Sequence, residues 1–113
     1  MNYEIIPLPE FERQVIRLRR KYRNIKTDPL GLQQVLLADP QSGDPIPGLR
    51  GKVYKLRLAS SDLTRGKSGG YRVIYYFIHS DSHIYLLTIY PKSEKENIQV
   101  SEIAKLLRQR GLW

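Results

Sequence analysis

Two runs in the second half of the chain, Tyr71 to Ile78 and Ile84 to Tyr90, are apolar at both odd and even positions. Successive side chains of a strand point to opposite faces, so a strand with one wet face alternates apolar and polar residues. A run that is apolar in both registers needs cover on both sides. That makes these two runs central strands of a sheet with helices packed on it. His79-Ser80-Asp81-Ser82-His83 is the polar connection between them. A third strand, Val53 to Ser60, precedes them and is of a different kind. Its Tyr54, Leu56 and Leu58 share one face, while Lys55 and Arg57 share the other. If this strand pairs with the next, Arg72 brings a third cation to the same surface.

The remaining elements are read from caps and periodicity. Asn2 to Ile6 is a short strand closed by Pro7 and Pro9, which cannot continue a ladder. Glu10 to Arg23 carries Phe11, Val15, Leu18 and Tyr22 at helical spacing, with Arg13, Arg17, Arg20 and Lys21 largely off that stripe. Thr27-Asp28-Pro29 starts a second helix that buries Leu32, Val35 and Leu36 and ends at Asp39-Pro40. Gly43 to Gly48 is so rich in Gly and Pro that it reads as a loop without a ladder and without evident chemistry. Ser101 caps a last helix with Ile103, Ala104 and Leu107 on one stripe and Gly111 as its stop. The expectation is an α+β fold: an N-terminal strand, two helices, three antiparallel strands and a C-terminal helix on one sheet. Its 113 residues suit a single domain, 1–113.

Charge narrows the function. The net charge is +8, and between Leu49 and Ile78 seven cations (Arg50, Lys52, Lys55, Arg57, Arg65, Lys67 and Arg72) face Asp62 alone. Cations gathered this way are the footprint of a polyphosphate partner, since neutralising phosphates releases counterions. No apolar run approaches the length of a membrane span and no basic-then-apolar leader opens the chain, so no membrane is expected and the expected compartment is the cytoplasm. The absence of cysteine excludes disulfides and thiolate metal sites.

Familiar catalytic motifs are missing. There is no G-x-S-x-G elbow, no H-E-x-x-H and no phosphate-binding P-loop. Gly66-Lys67-Ser68-Gly69-Gly70 lacks the opening glycine and precedes a strand, so it reads as a basic hairpin loop. His79 and His83 lie in a polar turn and read as connection residues. What remains is Lys and Arg chemistry on phosphate, with neither cofactor nor metal expected. RNA is cut without a metal when its own 2′-hydroxyl attacks the adjacent phosphorus. The protein then removes that proton, stabilises the added charge and assists the departing 5′-oxygen. A lysine amine serves as base where neighbouring cations disfavour its protonated form. Lys55, beside Arg57 and Arg72, is the candidate.

The segments Gly48-Leu49-Arg50, Val53 to Ala59, Arg65 to Tyr76 and Leu86 to Ile98, in that order, resemble the RelE/HigB toxins of bacterial type II toxin-antitoxin systems. The likeness runs over nearly the whole chain. It implies a RelE-like fold and a ribosome-dependent mRNA endoribonuclease that stops translation and is held inactive in a tight complex with a cognate antitoxin. The partners implied are the antitoxin, the ribosome and mRNA. Lys55 and Arg57 match the basic positions of the family's second strand, Arg72 the arginine opening its third, and Lys92 the motif after its fourth. Ser93 to Val100 offers neither the arginine nor the tyrosine that the family carries there, so leaving-group assistance falls to Lys92 first and Lys95 second. Arg17, Arg20, Lys21, Arg65, Lys67 and Lys95 are the expected RNA-binding cations. Two other readings stand beside this one. The first is a ParE-like toxin that inhibits DNA gyrase by binding it, and the second a catalytically inactive RNA- or protein-binding relative.

Overall fold

The computed structural model describes residues 3–22, 25, 29–58, 70–95 and 97–113. Within them the elements run β1 (Glu4–Pro7), α1 (Pro9–Leu18), α2 (Pro29–Ala38), β2 (Asp44–Pro45), β3 (Val53–Leu58), β4 (Tyr71–Ile78), β5 (His83–Pro91) and α3 (Val100–Gln109). The strands form one sheet in the order β1-β5-β4-β3-β2, antiparallel except for the parallel pair of β1 and β5. This is the expected α+β fold, with β4 at the centre. The two-sided apolar runs are covered as their composition requires. On one face Tyr71, Val73, Tyr75 and Phe77 pack with Phe11, Leu18, Leu32 and Leu36 of α1 and α2. On the other, Ile74 and Tyr76 pack with Ile103, Ala104 and Leu107 of α3. Among the described residues no helix is long and apolar enough to cross a membrane.

Several boundaries differ from the sequence reading, each for a physical reason. Pro7 does not close β1 but lies in it, opposite Leu86. β1 is an edge strand, where a missing N–H leaves no ladder bond unmade. Pro9 opens α1 in the first helical turn, a position that needs no donor. That helix ends at Leu18 rather than Arg23, and the stripe continues because Tyr22 is buried from a turn whose N–H bonds the Leu18 carbonyl at 2.9 Å. Val35 is 44 % exposed rather than buried, and Leu37 is 47 % exposed, because Leu32 and Leu36 are the described α2 side chains that pack on the sheet. The cap of α3 is Gln99, with Ser101 already inside the helix and no side-chain cap bond. Gly111 does end α3, at φ +70°, where the Leu112 N–H reaches back to the Leu107 carbonyl at 2.8 Å. The proposed Thr27 and Asp28 helix start lies outside the described residues.

One correction bears on the site. The Gly- and Pro-rich stretch does form a ladder: Asp44 and Pro45 pair with Lys55 and Tyr54 as edge strand β2. Its approach is fixed by the Tyr75 hydroxyl, which donates to the Pro40 carbonyl at 2.8 Å and accepts the Gly43 N–H at 3.0 Å. A Cβ on Gly43 would sit 3.0 Å from both the Lys55 carbonyl and that hydroxyl, so any larger residue would require one of them to give by a few tenths of an ångström. Burial pushes the Tyr75 phenol pKa above its ordinary value and keeps it a donor.

Candidate functional site

The ladder puts the predicted strand cations on one surface. Arg57 and Arg72 are directly opposite in the β3–β4 pair, and Tyr90 is opposite Arg72 in the β4–β5 pair. Residues in register point to the same face, so Arg57, Arg72 and Tyr90 form a row across three strands. Tyr90 packs in the α3-side cluster, which fixes that face. Lys55, paired with Ile74, lies in the next row on the same side. Between Ile74 and Tyr75 the register shifts: Ile74 pairs with Thr88 and Tyr75 with Leu86, leaving Leu87 unpaired. The bulge lets β5 present Tyr90 on the face of Arg72 while its other half keeps pace with β4.

Within the row the two arginines have different surroundings. Arg57 is exposed, whereas Arg72 is only 6 % exposed, the one charged side chain among the described residues to be buried. Its hydrogen bond runs from Nη1 to the Tyr71 carbonyl at 3.3 Å, and among the described residues no carboxylate pairs with it. A guanidinium carries five donors and no acceptor. Burying it with one long bond and a second arginine opposite is unfavourable unless an anion arrives.

Lys55 is half-buried and donates from Nζ to the Asn97 Oδ1 at 3.1 Å. Together with Asp44, Tyr90 and Ile98 these two residues line a cavity of about 320 Å³. The Tyr90 hydroxyl is shielded from water and has no hydrogen-bond partner of ordinary geometry. Burial pushes its pKa up, and the Arg72 charge and the nearby Ile98 backbone act in the other direction without cancelling this. Lys95 places its ammonium 5.7 Å from the Tyr90 ring centroid, close enough for a cation–π contact.

The remaining predicted cations are spread more widely. Lys92 is half-buried, and its backbone N–H bonds the Gly70 carbonyl at 3.2 Å, one step past the end of the β4–β5 ladder. Arg17 is held by Glu94 at 2.8 Å and Gln14 at 2.9 Å. With the Tyr22–Ser93 hydroxyl contact at 3.2 Å, this pins the turn after β5 to α1. Arg20 and Lys21 are exposed, Lys21 lying 5.7 Å from the Tyr22 ring centroid. Arg65 and Lys67 lie outside the described residues. Among those described, no three His, Asp or Glu side chains gather to hold a metal ion.

Three residues of this surface escaped the sequence reading: Asp44, Tyr90 and Asn97. Asp44 adds a carboxylate beside Lys55 where only Asp62 was counted as near. The signal for Tyr90 was present, since it lies at an even distance from Thr88 near the end of a strand. The Lys55–Asn97 contact spans 42 positions and leaves no local trace.

Comparison with known proteins bears on the family and the fold. The model of a family described as the RelE toxin of the RelE / RelB toxin-antitoxin system matches residues 34–110. Among solved structures, E. coli toxin RelE in the free state, carrying two arginine-to-alanine substitutions, is similar with a TM-score of 0.56 at 20 % identity. That match covers 85 % of this chain and 90 % of the other, and at such identity it speaks for the fold. The family match takes in α3 and every strand except β1, more than half of the chain, and the chain therefore belongs to the RelE toxin family.

Proposed function

We propose that this chain is a single-domain toxin of a type II toxin-antitoxin system, acting in the cytoplasm as a ribosome-dependent mRNA endoribonuclease. The observation that carries the reading is Arg72: a buried guanidinium, unpaired with any described carboxylate and directly opposite Arg57. An incoming phosphate satisfies both arginines, and the charge it gains in the transition state strengthens those contacts. Asn97 orients the Lys55 amine, which removes the 2′-hydroxyl proton. The oxygen attacks phosphorus, the 5′-oxygen leaves with a proton from Lys92 or, failing that, Lys95, and a 2′,3′-cyclic phosphate results. Arg20 and Lys21, exposed in the turn that follows α1, meet ribosomal RNA, whereas Arg17 acts mainly by holding the turn that carries Lys95.

Cations alone make a weak acid–base pair, so alignment by the ribosome supplies much of the rate. The cognate antitoxin holds the chain inactive. Radiolabel incorporation in cells expressing the free chain tests the reading: translation stops first and mRNA is cut. Loss of DNA synthesis with gyrase-dependent breaks and intact mRNA would assign the chain to the gyrase-binding class instead.

A further inference from the structure

We propose that the cavity beside Lys55 receives the nucleobase of the nucleotide being cut, and that Asp44 makes it selective for bases carrying an exocyclic amino group. The inference rests on the nuclease reading for its biological meaning, although its test does not require cleavage.

Size and walls come first. A cavity of about 320 Å³ lies at the small end of ligand pockets, roughly 300–1,000 Å³, enough for one planar ring system and too little for a peptide segment. Pro45, Pro47 and Ile98 give it apolar walls on which a flat ring packs.

The polar groups then specify the guest. Asp44 forms no ion pair with any described residue, and an ionised carboxylate only accepts. The hydroxyl of Tyr90, a residue 3 % exposed, has no hydrogen-bond partner of ordinary geometry, with only the Ile98 backbone near it. Asn97 spends its oxygen on Lys55, which leaves its NH₂ as a donor. One acceptor, one hydroxyl and one amide donor match the mixed edge of a base. A phosphate is a poorer guest here than at Arg57 and Arg72, because the Asp44 carboxylate offsets the charge of Lys55, which lines the same cavity. An aliphatic chain is poorer still, since it leaves the buried Tyr90 hydroxyl unsatisfied and only displaces water from the exposed Asp44 carboxylate.

Placement supplies the last argument. The phosphate site at Arg57 and Arg72 lies one row away on the same sheet face, about 7 Å along β3 from Lys55. Charge is thus segregated: cations at one end and a carboxylate at the other, with Lys55 between them. A nucleotide is divided in the same way, into an anionic phosphate and a neutral base. Adenine, cytosine and guanine each offer an amino group to Asp44, and uracil offers none.

Amide chemical shifts of the purified chain titrated with CMP and UMP test this, since the two share ring size and differ in edge chemistry. Expected are shifts at Asp44, Tyr90 and Asn97 and about tenfold tighter binding of CMP. Asp44→Asn, whose amide both donates and accepts, should bring UMP level with CMP while the spectrum stays folded. Tyr90→Phe should weaken both nucleotides without changing their ratio. Shifts confined to Arg57 and Arg72, or equal affinities in the parent chain, or a preference that survives Asp44→Asn, each overturn the proposal. A chain that prefers CMP through Asp44 yet never cuts mRNA on ribosomes keeps the pocket and refutes the nuclease reading alone.

Discussion

Replacing Arg72 by methionine should make this protein more stable and less active, and the opposed signs distinguish a functional guanidinium from a structural one. The side chain is 6 % exposed, its carbonyl bond to Tyr71 is long at 3.3 Å, and no described carboxylate pairs with it. Removing a charge from water costs several kcal/mol even after relaxation, and one charge-assisted hydrogen bond, weakened by its 3.3 Å length, returns at most about 1.5 kcal/mol. The arginine directly opposite adds about 0.2–1 kcal/mol of repulsion. Methionine keeps the aliphatic stem and drops the charge. The expected gain is about 1–3 kcal/mol, read as roughly 4 °C of Tm per kcal/mol for a domain of this size. Sulfate, a stand-in for phosphate, should raise the parent's Tm more than that of the variant, the excess reporting the specific site over the general salt effect. Single-turnover cleavage on programmed ribosomes should fall about 10²–10³-fold, the usual effect of losing one donor to a developing oxyanion. Thermal unfolding at low salt and the cleavage rate are measured on the same preparation. A variant that melts several degrees lower and cuts mRNA at the parental rate would show that Arg72 is a strut, and the reasoning would fail.

Further outcomes follow from other parts of the structure. Lys55→Ala should slow the chemical step by about 10²–10⁴-fold, measured by rapid quench. Tyr75→Phe removes the hydroxyl shared by Pro40 and Gly43, and urea unfolding should show a loss of about 1–3 kcal/mol for the two backbone groups left unpaired. Gly43→Ala should displace β2 from Lys55, visible as amide shifts at Asp44 and Lys55, because its Cβ meets the Lys55 carbonyl at 3.0 Å. Glu10 joins the start of α1 to Arg110 at the end of α3, and the Arg110 hydrogen bonds hold its carboxyl below the ordinary value of 4.5. A lowered carboxylate contributes stability above its unfolded pKa and loses it as pH falls through the folded one. The stability difference between parent and Glu10→Gln should therefore be full at neutral pH and shrink as pH drops below about 4.5, measured by denaturation across pH.

Most of the fold was legible because its signals are local. β3, β4 and β5 announce themselves by the two-residue period and by apolar runs that must be covered twice, and the polar turn at His79–Asp81 separates the last two. What failed was set by contacts distant in sequence. β2 exists only because Asp44 finds Lys55, and nothing within the Gly- and Pro-rich segment encodes that pairing. Val35 reads as core by its periodicity, but which side of α2 is covered depends on where the sheet lies. The cation face of β3 and its meeting with Arg72 could be read from strand alternation. The burial of Arg72, the Asn97 bridge and the enclosed Tyr90 hydroxyl could not, since each depends on tertiary packing that no local pattern encodes.

The central claim is that a row of cations on this sheet face cuts mRNA through the RNA's own 2′-hydroxyl. Mapping the product ends left by the purified chain on programmed ribosomes tests it most directly. The account predicts a 2′,3′-cyclic phosphate, or the 3′-phosphate derived from it, facing a 5′-hydroxyl, with cutting of naked RNA far slower. A 3′-hydroxyl facing a 5′-phosphate would require water as the nucleophile and would contradict it.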